Sequence, residues 1–270
     1  MFYTLLSTFS IIFCTFATMK TTMRVNQKYE KLRPWLETLP ERFEREGKEI
    51  YHLRNLIKVM DAPDGLLLNV KRYHKPRFPN SFVYSLGIRQ PKGKRAFEYP
   101  EKLLEAGFET PEPVAYIEQR SCGIIGYSFF VSLQCQYGHT MYEVANGKTE
   151  DYAPLMEALG LYTARLHDAK ILHLDYTPGN ILWKQDSQGN YHFCLVDINR
   201  MHFGEVGMLK GCENIKKMWG SRELISIMVR SYACARGFDE NTCEEVVMRL
   251  RRNFWRHYKD KEGLPFKIEE

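Results

Sequence analysis

Two short segments of the sequence hold carboxylate and amide side chains at spacings suited to phosphoryl transfer. Asp175 and Asn180 lie five residues apart in a loop that also contains Pro178 and Gly179, and Asp197 ends an apolar run. A Pro/Gly loop lets the first two side chains point to one place. Phosphoryl transfer uses one carboxylate to orient and deprotonate a hydroxyl, and an amide oxygen with a second carboxylate to hold Mg²⁺ on nucleotide phosphates.

The spacing around these residues is more informative than any one of them. A histidine two residues before a carboxylate, as His173 stands before Asp175, is by itself a weak signal. Here Asn180 follows five residues later, and a hairpin predicted at residues 181–183 and 193–196 returns the chain to Asp197. We expect His173 to pack beneath the metal-binding loop rather than to transfer protons.

The elements that must position these residues begin with strands. Strands are predicted at residues 50–60, 66–73, 114–118 and 127–133, and a Pro/Gly turn at residues 61–65 makes a hairpin of the first two. A helix is predicted near residues 96–106, with Gly107 at the position that ends it. The first half of the chain is therefore predicted to be β-dominated.

The second half of the chain shows helical periodicity. Leu155, Leu159, Tyr162 and Leu166 recur at spacings of three and four residues, which predicts a helix with one buried face. Residues 213–261 are also predicted to be rich in helix. A β-dominated half before an α-dominated half indicates an α+β protein.

Length and composition exclude several classes of protein. The chain has 270 residues, of which 44% are hydrophobic and 26% charged, and these are ordinary globular values. They exclude collagen-like, low-complexity and broadly disordered chains. The seven cysteines include no CxxC pair, so the sequence indicates neither a zinc framework nor a disulfide scaffold, and it favours a reducing compartment.

The N-terminal segment allows three interpretations. Residues 1–18 carry no charge and combine twelve apolar residues with six Ser or Thr. The first interpretation is that translation starts later, at Met19 or Met23. The second is a membrane anchor, and the third is a secretory signal that lacks the usual basic region. If it is an anchor, Lys20, Arg24 and Lys28 would keep the following chain cytoplasmic.

The motifs together resemble the protein-kinase-like superfamily, and within it the lipopolysaccharide-core sugar kinases that include the Kdo (3-deoxy-D-manno-octulosonic acid) kinases. The resemblance covers roughly residues 33–261 and is most specific at residues 94–98, 103–107, 110–113, 173–180 and 197–200. It implies an α+β, bilobal protein-kinase-like fold with a small β-rich N-lobe and a larger helical C-lobe. The expected domains are an apolar segment at residues 1–22, an N-lobe with a leading helix at 23–136, and a C-lobe at 137–270.

The resemblance also implies roles for individual residues. Asp175 would be the catalytic base, and Asn180 and Asp197 the Mg²⁺ ligands. Lys71 would contact the α- and β-phosphates of ATP, with Glu98 as its helix partner. The adenine-contacting hinge would comprise Gln134, Cys135 and Gln136.

Pro100 restricts the helix partner of Lys71. The helix must begin close to Glu98 if the proline is to lie in its first turn, and Glu101 is otherwise the alternative partner.

The sequence departs from the protein-kinase pattern at two other places. The loop expected to cover the nucleotide, near residues 52–55, contains no glycine, so Arg54 is expected to help hold the phosphates. Thr177 stands where Ser/Thr protein kinases carry a lysine, and no Ala-Pro-Glu follows Asp197. The second departure argues against a peptide substrate.

Basic residues cluster in two regions of the chain. The run at residues 246–261 has six Lys or Arg and one acidic residue. The run at residues 65–97 has no acidic residue and eight basic residues: Lys71, Arg72, Lys75, Arg77, Arg89, Lys92, Lys94 and Arg95. We expect these clusters to face an anionic glycolipid or the inner membrane surface, and a solvated surface without a partner is the alternative. Nucleic acid is not expected, since no binding motif accompanies the charge.

The resemblance implies a function as well as a fold. It implies an ATP- and Mg²⁺-dependent kinase that phosphorylates a sugar hydroxyl, on Kdo or heptose, of the lipopolysaccharide inner core on the cytoplasmic side. Two alternatives remain at this point: another kinase-like phosphotransferase acting on a small molecule or a protein, and a pseudokinase scaffold suggested by the glycine-free loop.

Overall fold

The structure, a computed structural model, describes residues 19–53 and 55–256. Residues 1–18, Arg54 and the basic residues beyond 256 therefore lie outside the described residues. The chain forms two compact units. The first holds the described residues up to Glu98 together with Glu112–Gln134, and the second holds Tyr99–Pro111 together with the described residues from Cys135 onward.

The first unit is built on an antiparallel sheet of six strands. Along the sheet the order is β1-β5-β6-β4-β3-β2. The strands are Met19–Val25 (β1), Lys48–His52 (β2), Asn55–Asp61 (β3), Leu67–Tyr73 (β4), Pro113–Ser121 (β5) and Ile124–Leu133 (β6). The strands predicted at 66–73, 114–118 and 127–133 are confirmed.

The strand predicted at residues 50–60 is wrong as a single element. The chain reverses between His52 and Asn55, and β2 pairs with β3 in an antiparallel hairpin. The two strands differ in burial: every residue of β2 is exposed, whereas β3 alternates between buried and half-buried positions. β-Propensity alone does not reveal such a reversal, because an exposed edge strand and the buried strand beside it have similar composition.

Short helices close one face of this sheet. A 3₁₀ segment, Gln27–Leu32, leads into helices Arg33–Glu37 (α1) and Leu39–Arg42 (α2). Their buried apolar side chains recur every three or four residues and pack against side chains of β3–β6. This face is the hydrophobic core of the first unit.

Lys58 is a charged residue inside that core. It points inward from β3 and is 7% exposed. Its ammonium group donates hydrogen bonds to the carbonyl oxygens of Phe43, Glu44 and Glu46, at 2.7, 3.1 and 3.1 Å. These carbonyls follow the end of α2, where a helix leaves its carbonyl groups unpaired. The three hydrogen bonds offset the cost of burying the charge.

The helix predicted near residues 96–106 is confirmed, with a different beginning. It spans Lys92–Glu105 (α4), and it is preceded along the chain by a short helix, Asn80–Ser85 (α3). Gly107 has a left-handed backbone with φ of +79°. Gly107 N–H donates to Leu104 O at 3.0 Å and Phe108 N–H donates to Leu103 O at 2.8 Å, the pair of bonds that defines a Schellman motif.

α4 does not begin close to Glu98, so the condition that would place Pro100 in its first turn is not met. Pro100 lies inside the helix, where its ring removes the hydrogen bond that a residue there would make to Ala96 O. The helix begins after Pro91, whose carbonyl accepts from Arg95 N–H at 3.2 Å. The division between the two units falls inside this helix, after Glu98.

The second unit is mainly helical. Its helices are Thr149–Asp168 (α5), Met208–Ile215 (α6), Arg222–Ala235 (α7) and Glu240–Arg256 (α8). Its short strands are His139–Thr140 (β7), Ile171–His173 (β8), Ile181–Gln185 (β9), Tyr191–Leu195 (β10) and Met201–Phe203 (β11). The predicted hairpin is β9–β10, with Tyr191 opposite Gln185 and Leu195 opposite Ile181.

The predicted apolar stripe is the buried face of α5. Leu155, Leu159, Tyr162 and Leu166 are at most 4% exposed and belong to the core of the second unit. α5 packs closely against α7 in this core. Over residues 19–53 and 55–256, no helix is both long enough and apolar enough to cross a bilayer.

We predict that Lys58→Met destabilises the protein by about 3 kcal/mol, because three carbonyl groups lose their donor inside the core. Equilibrium urea denaturation measures the change. Lys48→Met, on the exposed strand β2, is the matched control and should change stability by less than about 0.5 kcal/mol. Equal stabilities for the two variants would contradict a structural role for the Lys58 ammonium.

Candidate active site

A buried histidine links the loop that contains Asp175 to the segment that contains Asp197. His173, at the end of β8, is fully buried, and its Nδ1 accepts from the backbone N–H of Asp175 at 3.1 Å. Its Nε2 lies 3.1 Å from the carbonyl oxygen of Val196, the residue before Asp197. Because Nδ1 accepts and Nε2 donates, the ring must be neutral with its proton on Nε2. Burial lowers the pKa of His173, which favours that neutral form.

The loop after His173 is fixed to the helical core on both sides. Tyr176 is fully buried, and its hydroxyl lies 2.8 Å from the hydroxyl of Thr163 in α5. Gly179 lies against Tyr142: a Cβ at this position would be 2.5 Å from the tyrosine hydroxyl oxygen. A side chain at residue 179 would therefore displace the loop or the tyrosine.

Asn180 is held by hydrogen bonds to both neighbouring segments. Its Nδ2 donates to the carbonyl oxygen of Asp175 at 2.9 Å, and its own carbonyl accepts from Val196 N–H at 3.0 Å. The first bond orients the amide nitrogen toward the loop. The amide oxygen makes no hydrogen bond to the described residues, which leaves it as a donor atom for a cation.

Asp197 has an unusual backbone conformation. Its φ is +54°, a left-handed value that only Asn, Asp and Gly adopt with any frequency. The Nδ2 of Asn199 donates to the Asp197 carboxylate, and Asn199 is itself buried. A strained backbone beside a supported carboxylate is typical of functional loops.

Two cations flank the carboxylate of Asp175. Arg200 Nη1 lies 3.7 Å from Oδ2, and Lys217 Nζ lies 3.5 Å from Oδ1. Charge-assisted hydrogen bonds are typically about 2.7–2.9 Å long, so neither cation is fully engaged by the aspartate. No motif in the sequence indicates a role for either residue. Lys217 follows α6, more than forty residues after Asp175, and no local pattern marks it.

The predicted nucleotide-side residues lie in the first unit. Lys71, in the middle of β4, is 8% exposed, and its Nζ lies 5.3 Å from the ring centre of Tyr73. The neighbouring Arg72 is on the opposite face of the strand, with its guanidinium over Phe43 in the hydrophobic core. The β4 register therefore places Lys71, not Arg72, on the face away from that core.

Glu98 lies on α4 and is held by other cations. Its carboxylate pairs with Arg24 of β1 at 2.7 Å and with Lys94 at 3.8 Å. Its role as the partner of Lys71 stays a prediction. Glu101, the alternative partner, is exposed on the same helix.

The predicted hinge spans the point at which the chain leaves the first unit. Gln134 is bound to β4, because its backbone N–H donates to Leu67 O at 2.8 Å and its Oε1 accepts from Asn69 Nδ2 at 2.9 Å. Cys135 and Gln136 begin the second unit. A hydrogen bond from the buried thiol of Cys194 lowers the pKa of Cys135.

The structure brings the predicted site residues of the second unit together. The roles predicted for the nucleotide-side residues stay predictions. Asp175, Asn180 and Asp197 are joined through His173 and Val196 by the bonds described above. Lys71, Glu98 and Gln134 lie in the first unit. Arg54, expected to assist phosphate binding, lies outside the described residues.

Comparison with known families decides the class of the protein. A model of the lipopolysaccharide kinase (Kdo/WaaP) family matches residues 66–218, more than half of the chain. The chain belongs to this family. It is therefore an ATP-dependent phosphotransferase that acts on an alcohol group of a sugar in the lipopolysaccharide core. No curated protein sequence matches the chain at a significant level.

Solved structures similar to this kinase share its fold. The structure of WaaP in complex with acyl carrier protein has a TM-score of 0.54 and 16% sequence identity over 87% of this chain and 99% of that chain. This likeness shows the fold alone, which is the expected bilobal protein-kinase-like fold with a β-rich N-lobe and a larger helical C-lobe.

Two further solved structures are less similar to this kinase. The amicoumacin kinase hAmiN in complex with AMP-PNP, Ca²⁺ and Ami has a TM-score of 0.49 and 13% identity over 87% of this chain and 88% of that chain. The Rio2 kinase ADP/Mg²⁺-phosphoaspartate complex from Chaetomium thermophilum has a TM-score of 0.48 and 16% identity over 84% and 70%.

A second buried histidine gives the kinase a pH-dependent stability. His167 Nδ1 lies 3.1 Å from the Tyr232 hydroxyl and Nε2 lies 3.3 Å from Asn214 Oδ1. Burial lowers the pKa of His167 to about 4, with the nearby charge of Arg236 adding to this effect and the hydrogen bond to Asn214 opposing it. Since the unfolded state binds the proton at a higher pH than the folded state, the stabilisation is complete above the unfolded pKa and is lost as the pH falls toward 4.

We predict that this group alone reduces the free energy of unfolding by about 2 kcal/mol between pH 6.5 and pH 5. His167→Gln keeps a hydrogen-bonding side chain without a titrating ring, so its stability should change less over this range. Thermal denaturation at each pH measures the difference. The exposed His74→Gln variant is the control and should follow the wild-type pH profile; a His167→Gln profile with the wild-type slope would exclude this origin.

Proposed function

We propose that this kinase phosphorylates a hydroxyl of Kdo in the lipopolysaccharide inner core, with Asp175 as the base, on the cytoplasmic side of the membrane. The observation that carries the proposal is the environment of Asp175, whose carboxylate stands between Arg200 and Lys217 in a member of the lipopolysaccharide kinase family. A heptose of the inner core is the alternative acceptor.

The transfer step follows from the position of Asp175. The acceptor hydroxyl oxygen forms a bond to the γ-phosphorus, and the bond from that phosphorus to the β–γ bridging oxygen breaks. ADP leaves with the electron pair, and the hydroxyl proton passes to the Asp175 carboxylate. Hydrogen bonds from the backbone N–H and to the carbonyl of Asp175 hold the residue from both sides while it orients the hydroxyl.

The oxygen atoms around Asp197 suit a divalent cation. Asn180 Oδ1 and the Asp197 carboxylate would hold Mg²⁺, which would neutralise charge on the nucleotide phosphates. In support, the buried Asn199 Oδ1 beside Asp197 has no hydrogen-bond partner in the described residues. Mg²⁺ usually takes only one or two protein carboxylates and completes its coordination with phosphates and water.

Residues of the first unit would bind the nucleotide. Lys71 would contact the α- and β-phosphates with Glu98 as its helix partner. Gln134, Cys135 and Gln136 would contact adenine, and Arg54 would assist at the glycine-free loop. Supporting this, the β4 register directs Lys71 away from the hydrophobic core.

The charge beside Asp175 favours an acidic sugar as acceptor. Kdo carries a carboxylate, and heptose does not. Lys217 is a half-buried cation at a long distance from Asp175, so it has hydrogen-bonding capacity left for an anion. A kinase for cationic acceptors, such as aminoglycosides or choline, would instead need acidic residues here.

We predict that Asp175→Ala lowers kcat by about 10²–10⁴, the usual contribution of a general base. Steady-state kinetics with purified enzyme, Mg·ATP and a Kdo-containing acceptor measure the loss. Asp186→Ala, in the exposed β9–β10 turn, is the control and should retain wild-type kcat. Wild-type turnover by Asp175→Ala would exclude the mechanism.

We predict that Lys217→Ala raises the KM for a Kdo acceptor about tenfold, the effect of one charge-assisted contact. The neighbouring Lys216, whose ammonium pairs with Glu213 at 2.7 Å, provides the control variant Lys216→Ala, with KM unchanged. An acceptor methyl-esterified at the Kdo carboxylate should raise the wild-type KM similarly and add little to the variant's KM. An equal loss of kcat with both acceptors would place Lys217 on the transferred phosphate instead.

Mass spectrometry of lipopolysaccharide from a deletion strain tests the function as a whole. Loss of one phosphate from Kdo is the expected result. Loss of a phosphate from heptose would identify the alternative acceptor, and an unchanged core would refute the proposal.

A further inference from the structure

Four large apolar side chains are exposed on one short segment of the first unit. Phe78, Phe82, Leu86 and Ile88 are 80%, 48%, 71% and 74% exposed. Phe82 lies in α3, and Leu86 follows one helical turn later, where its N–H donates to Phe82 O at 2.8 Å. Phe78 precedes the helix, and its ring packs edge to face with that of Phe82, with centres 6.0 Å apart. We call these four residues the apolar ridge.

The segment that carries the apolar ridge is anchored to the sheet beneath it. Tyr84, on the other side of α3, is buried. Ser85 Oγ accepts from Ile125 N–H of β6 at 2.9 Å and donates to Ser81 O at 2.6 Å. Arg120 of β5 donates to Ser85 O at 3.3 Å. The burial of Tyr84 and the hydrogen bonds of Ser85 therefore fix the inner side of the segment, and the apolar ridge lies on its outer side.

All the charged residues in the chain around the apolar ridge are basic. Lys75, Arg77, Arg89 and Lys92 are exposed on the two flanks of the ridge, and no Asp or Glu occurs between residues 65 and 97. A monomeric soluble surface rarely gathers large apolar side chains in this way without a binding partner. The partner must offer apolar volume and negative charge together.

An anionic lipid surface meets both requirements. Three of the four ridge side chains are 71–80% exposed and protrude, so they suit insertion into a soft boundary better than binding in a groove. At a membrane, apolar side chains enter the region between headgroups and acyl chains while flanking Lys and Arg contact lipid phosphates. Fixed acidic groups on a protein partner would match the cations, but a rigid surface would also need a cleft shaped for the ridge.

We propose that the apolar ridge and its basic flanks dock the enzyme on anionic phospholipid. This inference rests on the proposed function and deepens it. A kinase that phosphorylates a membrane-embedded glycolipid must work at the membrane surface. Docking would bring the enzyme to the lipid plane through its N-lobe. Residues 1–18 would not be required for it.

Vesicle binding by the full-length protein tests the proposal. The probes are vesicles of phosphatidylethanolamine with phosphatidylglycerol, and vesicles of phosphatidylcholine alone. The expected result is binding to the anionic vesicles that weakens with salt. Leu86→Ser/Ile88→Ser should lower the partition coefficient at least about tenfold, and Arg77→Gln/Arg89→Gln should lower it roughly fivefold per charge removed.

Matched variants make the result specific. Leu161→Ser/Leu209→Ser removes two exposed leucines of the second unit, which are 47% and 62% exposed, and should bind as wild type. Circular dichroism confirms that each variant is folded. Wild-type binding by the Leu86→Ser/Ile88→Ser variant would overturn the proposal and assign membrane contact elsewhere, for example to residues 1–18. Equal binding to both kinds of vesicle, or binding of a purified acidic protein but of no vesicle, would overturn it too.

Two acceptors separate this inference from the proposed function. With a deacylated, water-soluble acceptor, the Leu86→Ser/Ile88→Ser variant should retain wild-type kcat, and with acceptor in anionic vesicles its rate should fall at least about tenfold. Ridge-dependent vesicle binding without phosphoryl transfer to either acceptor would refute the proposed function and support the docking surface. Transfer to the soluble acceptor without vesicle binding would refute the docking surface alone.

Discussion

The geometry of the active-site loops depends on the protonation state of one buried ring. His173 Nδ1 accepts a hydrogen bond from the backbone N–H of Asp175, and Nε2 donates one to the carbonyl of Val196. A second proton on the ring would place an N–H group at Nδ1, facing the N–H of Asp175. Burial opposes this protonation, because desolvation makes the charged ring unfavourable and lowers the pKa of His173. The two hydrogen bonds and the exclusion of solvent thus favour the same neutral form of the His173 ring.

The surrounding contacts extend this constraint into the helical core. Asn214 of α6 donates to the carbonyl of His173 at 2.9 Å and accepts from His167 of α5 at 3.3 Å. Tyr176 binds Thr163 on the same helix α5. The loop is therefore positioned by a twenty-residue helix rather than by its own sequence, which fits the need of transfer chemistry for rigid placement.

Elements with a regular pattern were predictable from the sequence. The α5 stripe, the β9–β10 hairpin and the left-handed Gly107 all follow from local periodicity or turn chemistry. The hydrogen-bonded grouping of Asp175, Asn180 and Asp197 was predictable because their spacing along the chain is fixed by the loop and hairpin between them. Local rules failed where tertiary packing decides the outcome.

Two errors show where tertiary packing overrode local rules. The single strand predicted at residues 50–60 ignored the chain reversal before Asn55, which depends on pairing between strands. The start predicted for α4 was too late because Pro100 was expected in the first turn of the helix, whereas the helix begins at Lys92 and continues through the proline. The cations beside Asp175 were missed for a related reason, since their positions depend on the folding of separate segments.

The position of Lys217 bears on how chains of this superfamily are sorted into active and inactive members. The loop itself has Thr177 where a protein kinase has its lysine, and a reader who compares loops position by position would count a catalytic charge as lost. In three dimensions an ammonium group nevertheless lies beside the aspartate, supplied by Lys217 in the segment that follows α6. Because an electric field depends on where a charge lies and not on its place in the chain, a loop without the lysine does not show by itself that the aspartate lacks a neighbouring positive charge.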